Sequence, residues 1–482
     1  MTGAPMRAAL ALAFCAGTIA AILGIGVRAT YAGHVAVDEP QYLLTALSLY
    51  EDGDLDIADE LAERRWRVYY DRELPVQTEV LPGGRQISPH DPLLPVLLAV
   101  PMGLFGWVGA KVALSLFAGA LAAVVLWTAI RRFEVPPRIA VPGVVLAAVS
   151  APFAVYGQQV YPEVPAALAV ATAVAALTAE RPSPLVIGVV LTALPWLSVK
   201  YAPVAAVLAV LTLWRLWRAG MRRELWALTV GLTLMGVLYL WVHRVVWGGW
   251  TVYATGDHFQ KSGEFGVMGF DPDYADRALR LTGLLIDRGY GLAAWQPGWL
   301  LLVPAVAAAV RLRPRGAAAL VLPLTAGWLT ATFVALTMRG NWWPGRQTVV
   351  VLPLALLLIL WWLARCAPPV VRRVALVAGC SGVLAYGWLL AEGYARTLTW
   401  VSGFQSVGYP GYRLLRPLLP PYHEPFTGFV VPHLVWIAVF VLFIRYSSIN
   451  TKGNPHETPH HPSRRPDPGP DQRADVRPGR VL

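Results

Sequence analysis

The chain has 482 residues, 56% hydrophobic and 14% charged, with a formal charge of +11. Apolar runs near 20 residues recur from residue 8 to about residue 444, which excludes a soluble domain and gives an integral membrane protein. The basic surplus lies in arginines clustered between apolar runs, a pattern that membrane topology explains and that speaks against nucleic-acid binding.

In chain order, segments 8–28, 109–130, 139–156, 225–246, 317–337 and 374–394 are each long enough for a hydrocarbon core of ~30 Å. Lipid offers backbone N–H and C=O groups no partner, so these runs are predicted to be helices. The first lacks a small-residue cleavage site ahead of a polar mature domain, and its stretch 10–27 exceeds a usual signal core; it reads as an uncleaved anchor. Segment 91–107 is interrupted by Pro92, Pro95 and Pro101 and is expected to be an interfacial or re-entrant helix. With that segment not crossing and the N-terminus cytoplasmic, the arginines at 131, 132, 138, 181, 215, 218, 222, 223, 311, 313, 315, 365, 372 and 373 all fall on the cytoplasmic side. Counting it as a crossing would put every one of them outside, so the positive-inside rule predicts about twelve transmembrane helices with both termini cytoplasmic. Segments 185–199 and 201–217 are a short pair hinged at Lys200.

Residues 1–446 are thus expected to form one polytopic, all-α membrane domain. Its extracytoplasmic parts are a first loop, 34–108, with interfacial helices, a second large loop, 248–293, and shorter segments at 339–346 and 396–427. The segment 447–482, rich in Pro, Arg, Asp and His, is expected to be a disordered cytoplasmic tail whose His456, His460 and His461 are solvated. Cys15, Cys366 and Cys380 show neither metal spacing nor a disulfide framework.

Chemistry concentrates in the first loop. Asp38-Glu39-Pro40 follows the first span and leads into an amphipathic run, 41–50. A carboxylate pair at a membrane surface can serve as a general base or orient a cation; equally, Asp38 can cap the helix that Pro40 begins. Asp52, Asp54 and Asp56, followed by Glu60 and Glu63, approach the spacing of a calcium loop, but Ile57 stands where such a loop needs glycine, and helix-start acids are the expectation.

Beyond them come Ser88-Pro89-His90-Asp91-Pro92-Leu93-Leu94-Pro95, then Leu104-Phe105-Gly106, then Ala110-Lys111-Val112. An Asp-Glu after the first span, a Pro-flanked approach to an interfacial helix, a Phe-Gly and a basic residue opening the next span together resemble the GT-C glycosyltransferases. The nearest patterns are those of the protein O-mannosyltransferases and the aminoarabinose transferases of lipid A. Tyr161-Pro162-Glu163-Val164-Pro165 resembles the family's acidic turn before the fourth span, and Leu194-Pro195-Trp196-Leu197-Ser198-Val199-Lys200-Tyr201 its lysine-bearing hairpin. Asp287-Arg288-Gly289-Tyr290-Gly291-Leu292 with Gln296-Pro297 is similar to a bacterial variant, and Trp342-Trp343-Pro344-Gly345-Arg346 to a late loop reading Gly-x-Arg. The likeness runs from about residue 8 to residue 365.

What the resemblance implies is transfer of a sugar from a polyprenyl-phosphate donor lipid to a glycan, lipid or protein acceptor, on the extracytoplasmic face of the plasma membrane. The expected step is a single inverting displacement. Asp38 matches the family's acceptor-activating acid, with Glu39 as its neighbour; Lys111, Lys200 and Arg346 match positions where basic side chains meet donor phosphate. His90 and Asp91 depart from the relatives' His/Lys followed by two prolines, which leaves three roles open: contact with donor phosphate, sharing of a divalent metal ion, or shaping of the turn. Glu163 and His258 complete the candidate substrate-binding set. Mannose or arabinose is the sugar expected by association. The structural alternatives are that Lys111 and Lys200 snorkel to the interface, that His243 and Arg244 satisfy local backbone, and that Trp247, Trp250, Tyr253, Trp295, Trp342 and Trp343 anchor the interface rather than stack on sugars. No Walker motif and no Gly-rich nucleotide loop is present, in keeping with a lipid-linked donor. A transporter or lipid flippase is the competing function, and scarce mid-span acids count against it.

Overall fold

The computed structural model describes residues 3–75, 77–255 and 272–450; His258 and most of the expected tail lie outside the described residues. Among the described residues every regular element is a helix, and strand-like pairing is limited to isolated bridges such as Asp56 with Ile87. Among the described residues, eight helices are long and apolar enough to cross a membrane: Ala4–Gly24, Leu93–Arg131, Val199–Arg218, Arg222–Val246, Ala317–Val334, Arg346–Arg365, Pro369–Tyr394 and Thr427–Arg445. Four shorter apolar helices, Pro137–Ala148, Glu163–Leu177, Pro184–Leu197 and Pro297–Leu312, occupy the other positions in the expected set of twelve. The last helix, Phe426–Asn450, runs past the boundary expected at residue 446.

Arg346–Arg365 is the central helix, with 89% of its apolar window buried inside the protein, against 11% for Arg222–Val246 and Thr427–Arg445 at the periphery. Small residues let the first helix press onto the second: a Cβ on Gly119 would lie 2.1 Å from Thr18 Oγ1 and 2.6 Å from the Phe14 carbonyl oxygen. Two of the short helices stop because their backbone leaves the helical path inside protein. Residues 150–162 turn between Pro137–Ala148 and Glu163–Leu177, wholly buried, and Pro184–Leu197 ends on extended Ser198 just before Lys200. Non-helical backbone at membrane depth is tolerated where protein encloses it.

Leu93–Arg131 is two helices joined at Gly106, whose φ of 63° and ψ of −162° break the path. The arm before the break is ~20 Å long at 1.5 Å per residue, short of the ~30 Å core. Val96, Val100, Leu104 and Phe105 are exposed on it, while the opposite side packs so closely on the helix Glu39–Glu51 that Gly103 touches the ring of Tyr50. These are the properties of the interfacial helix expected at 91–107.

The bundle has two unlike ends. Glu163–Leu177 and Arg346–Arg365 start close together at one end. At the other, Leu177 and Trp361 face a cavity of about 950 Å³ that Arg131, Arg132, Arg215 and Arg315 also line. Arginines of three of the predicted cytoplasmic loops therefore share one face, ~20 Å along the helices from their starting residues.

Candidate active site

At the end opposite the arginines, four charged side chains from four distant stretches of chain meet. Asp38 stands at the N-cap position of Glu39–Glu51 but makes no capping hydrogen bond; its Oδ2 instead accepts from Arg346 Nη2 at 2.7 Å. Arg346 Nε donates to Glu163 Oε1 at 3.0 Å, and Lys200 Nζ donates to the same oxygen at 2.8 Å. Arg346 is placed by Gly345, whose φ of 85° glycine alone adopts readily, and its guanidinium lies 3.9 Å from the centre of the Tyr161 ring. Asp38 is 7% exposed, Arg346 8% and Glu163 0%, whereas the Lys200 side chain is 25% exposed, so the cluster opens on the lysine side. Two carboxylates and two cations balance. Burying such a set costs stability relative to apolar packing, which makes it a marker of function within a membrane bundle.

The backbone around Asp38 is held under strain. Val37, a β-branched residue, sits at φ 53°, a conformation costing on the order of 1–3 kcal/mol. Gln77 fastens it, donating to the Val37 carbonyl at 3.1 Å and to Asp38 Oδ1 at 3.4 Å, while its own carbonyl pairs with His90 Nε2 at 3.1 Å. His90 also stacks on Tyr42, with ring centres 4.6 Å apart. His90 thus reaches Asp38 through Gln77, a residue the sequence reading missed. The nearby signals were Pro75 and the loop that returns to His90, neither of which marks a glutamine.

Of the three roles left open for Asp91, its contacts within the protein fit the shaping of local structure. It is 2% exposed, and its carboxylate accepts from Tyr239 Oη at 2.9 Å and from Val199 N at 3.0 Å, with His243 Nε2 at 3.1 Å. Through Val199 it holds the start of the helix that carries Lys200. Glu39 and Lys111 likewise form a separate buried pair, both 0% exposed. Glu39 accepts from Ala36 N and Val160 N, each at 2.7 Å, and lies 3.7 Å from Lys111. Lys111 donates to the His34 carbonyl at 2.8 Å and to Gln158 Oε1 at 3.1 Å. These contacts enclose its ammonium and leave no open side for a phosphate, so Lys111 departs from the donor-binding expectation and from snorkelling alike.

The tryptophans divide. Trp247, Trp295 and Trp343 are buried at 4%, 2% and 0%, and Trp295 and Trp343 pack against Phe404, which removes all three from sugar stacking and from interfacial anchoring. Trp342 stays beside the cluster, 5.2 Å from the Arg346 guanidinium. Asp287 is a turn residue, its Oδ1 accepting from Gly289 N at 2.9 Å and Tyr290 N at 2.7 Å.

No protein-family model matches the sequence, and no curated protein matches it. The architecture is nevertheless a recurring one: a multi-pass, all-helical membrane fold that resembles a solved structure. The chain is similar to the crystal structure of ArnT from Cupriavidus metallidurans bound to undecaprenyl phosphate, with a TM-score of 0.51 and 18% identity over 92% of this chain and 74% of that one. ArnT in the apo state aligns over the same shares with a TM-score of 0.47 and 16% identity.

Proposed function

We propose that the protein is a glycosyltransferase that moves a hexose or pentose from a polyprenyl-phosphate donor to an extracytoplasmic acceptor, with inversion. One observation carries the reading: Asp38, Glu163, Lys200 and Arg346 share a single cluster at the end of the bundle away from the arginine loops. The fold it sits in resembles that of a protein crystallised with undecaprenyl phosphate.

Before donor binds, Arg346 neutralises Asp38. A phosphate arriving from the exposed side of Lys200 offers the ammonium and guanidinium a new anionic partner, and charge-assisted bonds to phosphate are strong. Arg346 then turns toward phosphate, and the Asp38 carboxylate is left to accept a proton. The acceptor hydroxyl loses that proton to Asp38 as its oxygen bonds to the anomeric carbon; the bond from that carbon to the phosphate oxygen breaks on the opposite face. Lys200 and Arg346 stabilise the departing polyprenyl phosphate. Asp91, through Val199, keeps Lys200 in reach. Mannose and arabinose are the sugars to test first.

The test uses purified protein with radiolabelled polyprenyl-phosphate sugar and cell-envelope acceptors. Asp38→Asn is expected to lower transfer on the order of 10²–10⁴-fold while retaining donor binding. Arg346→Lys, which keeps the charge but loses the forked donor, is expected to raise the KM for donor. Unchanged transfer by Asp38→Asn would reject the assigned base. Donor recovered intact on the opposite leaflet, with no product, would replace the transferase with a flippase.

A further inference from the structure

A second concentration of acid lies in the first loop, away from the charged cluster. Of the carboxylates between residues 51 and 63, four have partners within the protein. Asp54 Oδ1 accepts from Asp56 N at 2.9 Å and Ser48 Oγ at 3.1 Å; Asp56 Oδ1 accepts from Ala58 N at 3.1 Å and Gln86 N at 2.8 Å. Glu51 and Glu63 take Arg65 at 2.7 and 3.4 Å. Asp54 and Asp56 thus shape the turn that leads into the helix Ala58–Ala62, and Glu51 and Glu63 pair at the C-terminal ends of helices.

Asp52, Asp59 and Glu60 differ. Each offers a carboxylate oxygen, and the three oxygens lie within 4.8 Å of one another. Calcium–oxygen bonds of ~2.4 Å put two ligands of one ion no more than ~4.8 Å apart. Glu60 supplies the independent observation. It is 1% exposed, its carboxylate is turned into this group, and neither Oε1 nor Oε2 has a hydrogen-bond partner. A buried carboxylate is costly unless a cation or hydrogen-bond donor meets it.

We propose that Asp52, Asp59 and Glu60 bind a hard divalent cation, calcium by their ligand chemistry, tying the C-terminal end of the helix Glu39–Glu51 to the helix Ala58–Ala62. The ligands are all oxygen, with no imidazole or thiolate, which selects calcium or magnesium over zinc. Asp52 and Asp59 are exposed, so water completes the coordination shell. Glu39–Glu51 has Asp38 at its other end, and the ion braces that helix from the far side without taking part in the proposed transfer.

The experiment uses the full chain in detergent, stripped with EDTA and titrated with calcium chloride and, separately, magnesium chloride by calorimetry, with thermal unfolding followed in parallel. One calcium per chain is expected, with a Kd near the weak extracellular range of ~10⁻⁴–10⁻³ M, together with a higher unfolding temperature. Asp59→Asn, at an exposed position, is expected to weaken binding at least about tenfold while the stripped protein unfolds at the wild-type temperature. Glu60→Gln is expected to abolish binding and to raise the unfolding temperature of the stripped protein, because it removes the buried charge. Absence of binding up to roughly 10 mM of either ion, or binding that survives both substitutions unchanged, would overturn the site and leave only an acidic surface.

Discussion

Lys111 carries its charge into a place without water, and Glu39 is what makes that tolerable. The two side chains are both 0% exposed, and each fills its remaining hydrogen-bond capacity with backbone groups or Gln158. Removing one partner strands the other, which for buried pairs costs ~3–5 kcal/mol, whereas replacing both with uncharged groups of similar volume is often close to neutral. Lys111→Met is therefore expected to lower the unfolding temperature in detergent sharply, and Lys111→Met with Glu39→Gln to recover most of the loss. A single Lys111→Met that melts like wild type would show that the pair does no structural work. The same residues mark where sequence reading stops. Asp38 and Glu39 are adjacent and chemically alike, but successive side chains at a helix start diverge by ~100°, so one meets Arg346 and the other Lys111. Nothing in the string Asp-Glu-Pro says which carboxylate faces the cluster. Gln77 and Tyr239 were invisible for a related reason: their roles depend on contacts such as those with Asp38 and Asp91, 39 and 148 positions away.

Among the elements, the arm before Gly106 was legible because its three prolines, short apolar length and Phe-Gly ending each have a local physical meaning. The apolar runs of the long spans were legible for the same reason. The pair at 185–199 and 201–217 was legible too, matching Pro184–Leu197 and Val199–Arg218, but the end of the segment expected at 139–156 was not: that helix stops at Ala148, because the buried backbone at 150–162 leaves it for tertiary reasons that hydropathy does not register. Helix crossings were likewise beyond reach, although Gly119 was in plain view. Gly119→Leu must push the first two spans apart, since even a Cβ there meets Thr18 Oγ1 at 2.1 Å, and overpacking of this kind typically costs ~1–3 kcal/mol. A lowered unfolding temperature is expected for it, against an unchanged or slightly higher one for Gly236→Leu, where nothing lies within 4 Å. Equal behaviour of the two variants would remove the crossing from the account.

For the molecule as a whole, arginines of several predicted cytoplasmic loops gather at one end of the bundle, and the positive-inside rule predicts that this end is the cytoplasmic one. Cysteine labelling checks that assignment. With Cys15, Cys366 and Cys380 changed to serine, Arg85→Cys is expected to react with an impermeant maleimide on intact cells, and Arg222→Cys only after permeabilisation. Reaction of Arg222→Cys from outside would invert the topology and place the charged cluster in the cytoplasm. One feature of the bundle then bears on why an anion should come to a cluster whose side-chain charges cancel. Glu163–Leu177, Val199–Arg218 and Arg346–Arg365 all begin at Glu163, Lys200 and Arg346 or within a residue of them. Each helix directs the positive pole of its macrodipole, equivalent to roughly half an elementary charge, at that spot. The peptide backbone therefore supplies a standing attraction for phosphate, one that no exchange of salt-bridge partners switches off.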